Sequence, residues 1–346
     1  MNPSVDRSEF SAPAAPPSNA TRFISTGWGV LQPFLVLLVV VVIFAAYGFA
    51  KKPDSPFLSK YRRTLIAEQT AIVGMGSLGM TLVIVSGGID LSVGAILALC
   101  SVALAAALRD GMGPVLATVM VLGVGLAAGA VNGILVTGLR LVPFIVTLGT
   151  MMMFRGLAEQ VAHQDKIPVH DAPAWLGSLL DPPAKDSYQL MAAGAWLVVV
   201  LAIVLAIVMR LTVFGRHVFA IGSNEATARL CGVNVPRTKI IVYALAGFFM
   251  ALAGIFSFSE LAKQGDPEAG RGMELDIIAA VVIGGGSLSG GRGSVLGSIV
   301  GALTMTTLRS GCVYAQVSDP VQNIIIGGII VAAVAVDQLT QSRWRR

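Results

Sequence analysis

Ten stretches of this chain contain no Asp, Glu, Lys or Arg: 27–50, 69–89, 91–108, 111–139, 141–154, 187–209, 240–259, 277–291, 293–308 and 320–336. A helix needs about 20 apolar residues to cross roughly 30 Å of hydrocarbon. Several stretches reach that length unaided. Segment 141–154 reaches it only by continuing past Arg155, and 277–291 and 293–308 must tilt, borrow flanking residues or enter part-way. The runs are continuous, whereas a β-barrel reads as alternating strands of about ten residues. The spacing predicts an all-α integral membrane protein of about ten transmembrane helices, some broken or short. Composition agrees, with 55% hydrophobic and 12% charged residues, against roughly 25% charged in soluble domains. So much apolar surface needs a bilayer to cover it.

The first apolar stretch exceeds the 7–15 residues or so of a signal-peptide core and reads as an uncleaved first helix. Residues 1–26, rich in Ser, Pro and Ala, read as a disordered tail. Residues 27–340 form the membrane domain, and 341–346 a basic tail. The net charge of +5 comes with no basic run joined to aromatics, so no nucleic-acid role follows. Cys100, Cys231 and Cys312 are scattered and odd in number, which suggests packing residues and neither disulfides nor zinc.

Excess Lys and Arg marks the cytoplasmic side of a membrane protein. Loop 210–239 holds Arg210, Arg216, Arg229, Arg237 and Lys239 against Glu225, and the chain ends Arg343-Trp344-Arg345-Arg346. Loop 162–186 sets two lysines against four aspartates. These put 210–239 and both termini in the cytoplasm and 162–186 outside. Loop 51–63, with Lys51, Lys52, Lys60, Arg62 and Arg63, opposes the assignment, because ten crossings turn it outward.

One segment places a carboxylate among glycines between two apolar stretches: Ser86-Gly87-Gly88-Ile89-Asp90-Leu91-Ser92-Val93-Gly94. An acid at membrane depth is costly and marks a functional site by default. At an offset of 197 residues, Gly284 to Gly291 repeats the pattern weakly: Gly87/Gly284, Gly88/Gly285, Leu91/Leu288, Ser92/Ser289 and Gly94/Gly291 are identical, and Ser287 replaces Asp90. Glycine-interrupted segments in corresponding places of two halves point to a transport path. Asp90 can cap the helix that follows, contact a ligand, or do both. Its neighbouring glycines serve either a broken backbone or close helix packing.

Loop 215–239 contains a short helix. Ser223 or Asn224 caps its start, 226–230 supply about a turn and a half, Gly232 stops it, and Pro236 follows. Such an element suits docking into a groove of another protein; the alternative is a solvated positive-inside loop.

Met80 to Val85 leading into the Asp90 segment resembles the permease subunits of bacterial ribose/xylose/galactose-type ABC importers. Asn132-Gly133, Pro143-Phe144-Ile145-Val146-Thr147-Leu148-Gly149, Ala220 to Val233 and Glu274 to Gly291 are similar to that family too, in the same order. The resemblance runs from about residue 65 to the C-terminus. It implies a multi-pass protein of the bacterial cytoplasmic membrane, a half of a sugar pathway without catalytic residues of its own. It also implies a partner ATPase that binds the ATP, a periplasmic sugar-binding protein, and a second permease chain. Loop 215–239 is then the coupling element, with Gly222, Asn224, Glu225, Ala228, Arg229 and Gly232 as its candidates.

Pathway candidates are Gly87, Gly88, Asp90, Ser92, Asn132, Glu274, Asp276, Ser287 and Ser289. Glu274 and Asp276 can receive a hydroxyl-rich ligand or simply favour a helix dipole. Asn132 can hydrogen-bond across helices. Arg155 and Glu159, four apart, are expected to pair. Gly286 to Gly293 imitates a phosphate loop but ends in Arg292-Gly293 where Gly-Lys-Ser/Thr is required, so no cofactor is expected on this chain. His163 and His170, on either side of Asp165, are weak evidence for metal. The alternative function is an ion-coupled secondary transporter, which would call for more intramembrane acids or histidines than Asp90.

Overall fold

The computed structural model describes residues 19–51, 56–181 and 191–344. The long helices are α1 (Asn19–Lys51), α2 (Lys60–Val85), α3 (Val93–Arg109), α4 (Pro114–Gly138), α5 (Pro143–Val161), α7 (Ala193–Leu211), α10 (Val235–Glu260), α12 (Val295–Tyr314) and α13 (Asp319–Trp344). Shorter ones are α6 (Ala174–Gly177), α8 (Val213–Ser223), α9 (Glu225–Leu230) and α11 (Met273–Ile283). Two dipeptide strands, β1 (Ile167–Pro168) and β2 (Gln264–Gly265), pair antiparallel with Ile167 opposite Gly265.

The protein is all-helical, and five of its described helices are long and apolar enough to cross a membrane: Leu31–Lys51, α2, α4, α7 and α10. The first helix starts at Asn19, inside the stretch expected to be a tail, and α13 continues to Trp344 through most of the expected basic tail. Residues 1–18 and 345–346, where the rest of those two expectations falls, lie outside the described residues.

The helices differ in burial. The spanning window of α2 is 83% buried and that of α10 72%, against 22% for α7 and 11% for α1. The outer helices expose Leu, Ile, Val and Phe, such as Leu38, Ile43, Val200 and Ile203, as a lipid-facing surface requires.

Small residues set the central contacts. Gly125, Gly129 and Gly133 recur every fourth position of α4 and meet the α10 backbone at Gly247, Tyr243 and Ile240. A Cβ on Gly133 would lie 2.7 Å from the Ile240 Cα. Gly297 and Gly301 of α12 press on Gly284 and Ala280 in the same way. Without water to expel, helices in lipid gain contact by bringing backbones close, which small residues four apart allow.

The packing orders the two ends of the bundle. Phe44 and Gly48 of α1 lie against Gly311 and Tyr314 of α12, and Phe57 packs with Tyr314. That end also holds the start of α2 and the end of α10. The opposite end carries α8 and α9. The described residues 56–63 of the basic loop thus sit away from α9. Arg62 there has a local role: its guanidinium carbon lies 4.6 Å from the centroid of the Tyr314 ring and its Nη1 donates to the Ser310 carbonyl at 3.3 Å. A cation held by a ring and a carbonyl is a packing residue, so it weighs little in a count of loop charge.

Candidate functional site

Helix α2 stops at Ser86 because Gly87 takes φ +81°, a conformation that costs other residues a Cβ clash. The Gly87 N–H donates to the Ile84 carbonyl and the Gly88 N–H to that of Val83, both at 2.9 Å. Helix α11 ends identically: Gly285 takes φ +89° and donates to Val282, and Gly286 donates to Val281. The shared helix end equates Gly87 with Gly285, one residue further along than the sequence identities suggest. The next helix begins sooner after the first break, at Val93, than after the second, at Val295.

Between Gly88 and α3 the chain turns on Asp90. Its Oδ1 accepts from the Ser92 N–H at 2.8 Å and the Ser92 hydroxyl at 2.6 Å. Asn132 of α4 donates from Nδ2 to the Ser92 Oγ at 2.7 Å and to Asp90 Oδ2 at 3.4 Å. Thr147 of α5 accepts from the Leu91 N–H at 3.1 Å and donates to the Ile89 carbonyl at 3.3 Å. Asp90, Ser92, Asn132 and Thr147 are all buried. The N-cap of α3 is Ser92, not Asp90. The carboxylate sits two residues earlier and holds the N-cap residue, so it organises the turn without capping the helix.

Among the described residues no cation pairs with Asp90. Burying a carboxylate costs several kcal/mol unless hydrogen bonds replace water, and here three donors converge on it. Two buried polar atoms nearby have no hydrogen-bond partner among the described residues, Asn132 Oδ1 and the Tyr243 hydroxyl. Gly88 makes room for that hydroxyl, since a Cβ there would lie 2.6 Å from it. Tyr243 lies roughly 12 Å along α10 from Val235, which puts the cluster nearer the α9 end.

The second break meets the first directly. The Gly291 N–H donates to the Val85 carbonyl at 2.9 Å, and a Cβ on Gly290 would lie 2.8 Å from the Gly87 Cα. Gly222, next to last in α8, closes the junction: a Cβ there would strike the Val85 carbonyl and lie 2.5 Å from the Gly291 nitrogen. Ser287 and Ser289 lie in this glycine loop.

Glu274 and Asp276 lie elsewhere again. Glu274 Oε2 lies 2.9 Å from where a Cβ on Gly94 would be, beside the first turn of α3. Asp276 is buried and held bidentately by Arg309 of α12, at 2.5 Å from Nε and 2.9 Å from Nη2. Nothing in the local sequence marks this pair, whose members lie 33 residues apart. Arg155 does not pair with Glu159. Its Nη1 donates to the Pro267 and Ala269 carbonyls at 2.5 and 2.8 Å, because loop 266–272 brings bare backbone acceptors within reach.

Helix α9 has the expected form. Asn224, rather than Ser223, caps it, with Oδ1 accepting from the Thr227 N–H at 2.9 Å. Gly232 ends it at φ +83°. Two of its candidates tie it to the rest of the chain. Ala228 is buried against Ile221 and Val235. Glu225 accepts from Lys239 at 2.6 Å and from Arg229 at 3.1 Å. The Lys239 hydrogen bond, reinforced by Arg229, holds the Glu225 carboxyl below the usual carboxylate range. Arg229 faces outward, and so does Leu230, 89% exposed, which sequence reasoning passed over. A leucine after an arginine in a basic loop gives no signal until the helix face is known.

Glycine-broken helices around a buried acid, in an all-helical chain with an apolar exterior, define a membrane transport protein. The chain belongs to the family described as branched-chain amino acid transport system / permease component, whose profile matches residues 63–334. It is 38% identical over 321 residues to the ribose import permease RbsC of Bacillus subtilis (strain 168), covering 90% of this chain and 94% of that protein. It is 37% identical over 305 residues to the fructose import permease FrcC of Rhizobium meliloti, covering 87% and 84%. It is 34% identical over 309 residues to the probable ABC transporter permease YphD of Escherichia coli (strain K12), covering 89% and 90%. No solved structure matches the chain.

Proposed function

We propose that this chain is the membrane half of an ATP-driven importer that moves a monosaccharide from periplasm to cytoplasm, taking its motor from a partner ATPase and its cargo from a soluble binding protein. The relatives named for ribose and fructose import support the substrate class. Ten helices, α1 to α5, α7 and α10 to α13, then cross or enter the bilayer, with α8 and α9 on the cytoplasmic face and both termini inside. A second permease chain completes the pathway.

The observation that carries this reading is the junction at Gly222. Helix α9 follows α8 after one residue, and α8 ends with its backbone seated on both glycine breaks. A push on α9 therefore reaches the Asp90 turn through bare backbone, with no flexible side chain between. ATP binding shifts the two-state equilibrium only through contacts that differ between states, and a rigid link of this kind supplies them. Arg229 and Leu230 present a cation and an apolar knob to the ATPase, while Glu225 and Ala228 hold the helix to the body. Asn132 and Thr147 tie the same turn to α4 and α5, so its displacement changes the packing of three spans.

The test is a proteoliposome assay with ATPase and binding protein, using D-ribose and D-fructose. Arg229→Glu with Leu230→Asp is expected to lower uptake more than tenfold while membrane insertion stays normal. Normal uptake by this variant overturns the coupling role of α9. Sugar accumulation by the chain alone, without ATPase, overturns the importer reading.

A further inference from the structure

A cavity of about 410 Å³ opens at the end of the bundle opposite α9, between α2, α11, α12 and α13. Small-molecule sites occupy roughly 300–1,000 Å³. The cavity is deep: Gln69 lines it roughly 14 Å along α2 from Lys60. The outer faces of α1, α4, α5 and α7 expose mainly apolar side chains, as lipid demands. Here Gln69, Glu260, Thr306 and the Asp276–Arg309 pair share the wall, and polar groups at membrane depth face water or cargo, not lipid.

We infer that this cavity is a sugar-accepting site of the permease itself, taking a neutral, hydroxyl-rich ring released by the binding protein. The inference rests on the importer reading above and adds where on this chain the cargo is first held. The wall carries the two chemistries a sugar presents. Leu65, Met273 and Val313 offer an apolar patch for its C–H face. Arg309 gives two of its five N–H donors to Asp276 and retains the others, and Gln69 and Glu260 make no hydrogen bond or ion pair among the described residues. These supply donors and acceptors for vicinal hydroxyls. Two of the three arginines lining the cavity are paired with acids. Asp276 neutralises Arg309 within the wall, and Arg271 is paired with Glu268 at 2.8 Å.

The experiment uses the full complex in proteoliposomes with D-ribose, D-fructose and L-leucine as probes. Gln69 and Glu260 are exposed, so Gln69→Leu with Glu260→Gln leaves folding intact. The expected result is at least a tenfold loss of sugar uptake, with ATP hydrolysis stimulated by the loaded binding protein unchanged within twofold. Sugar uptake within twofold of wild type overturns the site and leaves the importer reading standing. A parallel loss of ATP hydrolysis also overturns it, because the wall would then act on the transport cycle and not on the cargo. A wild-type complex that takes up leucine and neither sugar overturns both readings.

Discussion

The breaks at 86–92 and 284–294 begin alike and finish differently. Each helix ends on a glycine in the left-handed region followed by a glycine whose N–H reaches back to the same carbonyl position. After the first, the chain dives inward and is pinned by Asp90 to Ser92, Asn132 and Thr147. After the second, it runs longer, bonds Ser287 N–H to the Arg292 carbonyl at 3.1 Å, and lies across the first break. The shared part comes from local chemistry, since a helix in lipid must satisfy its last carbonyls internally. The divergent part comes from neighbours. The first break meets Asn132 and Thr147 on two other helices; the second meets the backbone of the first break and of Gly222.

The sharpest way to break this picture is to separate the breaks. Gly222→Val drives a side chain into the Val85 carbonyl and the Gly291 amide, and is expected to destabilise by more than about 3 kcal/mol. Thermal unfolding in detergent should show it, while Gly123→Ala, at a position with nothing within 4 Å, stays within about 0.5 kcal/mol. A tolerated valine at 222 would mean the junction is not closed. Next comes the feature peculiar to the first break. Asp90→Leu strands the Ser92 amide and hydroxyl and one Asn132 donor, for about 3 kcal/mol or more, whereas Asp90→Asn keeps an acceptor and costs about 1 kcal/mol. Equal losses would assign Asp90 a role that depends on its charge. The smallest effect tests what the breaks share: Gly87→Ala and Gly285→Ala should each cost about 1–2 kcal/mol, the penalty of a left-handed Cβ. Costs differing by more than about twofold would dissolve the equivalence of the two helix ends.

Much of this was legible in the residues. Uncharged runs announced helices, the cap–stop pattern Asn224…Gly232 announced α9, and an acid among glycines announced a site. Asp90, Ser92 and Asn132 do meet. The misreadings share a cause. Local spacing offers Asp90 as a helix cap or a ligand contact and Arg155 as a partner for Glu159, because sequence reasoning looks first to residues three or four away. The structure supplies competitors from distant chain: Asn132 and the carbonyls of loop 266–272. The Asp276–Arg309 pair and the exposure of Leu230 were invisible for the same reason.

The sequence by itself determined a membrane-embedded helical chain, the positions where its helices must end, and the capped helix in its basic loop. Those follow from hydropathy and backbone chemistry within a few residues. Only the tertiary structure decided that Gly222 joins the two breaks, that Asp276 is neutralised by Arg309, and that polar side chains gather around one deep cavity. Each depends on which helices approach closely, and that is set by glycine contacts such as those between α4 and α10, whose partners lie more than a hundred residues apart.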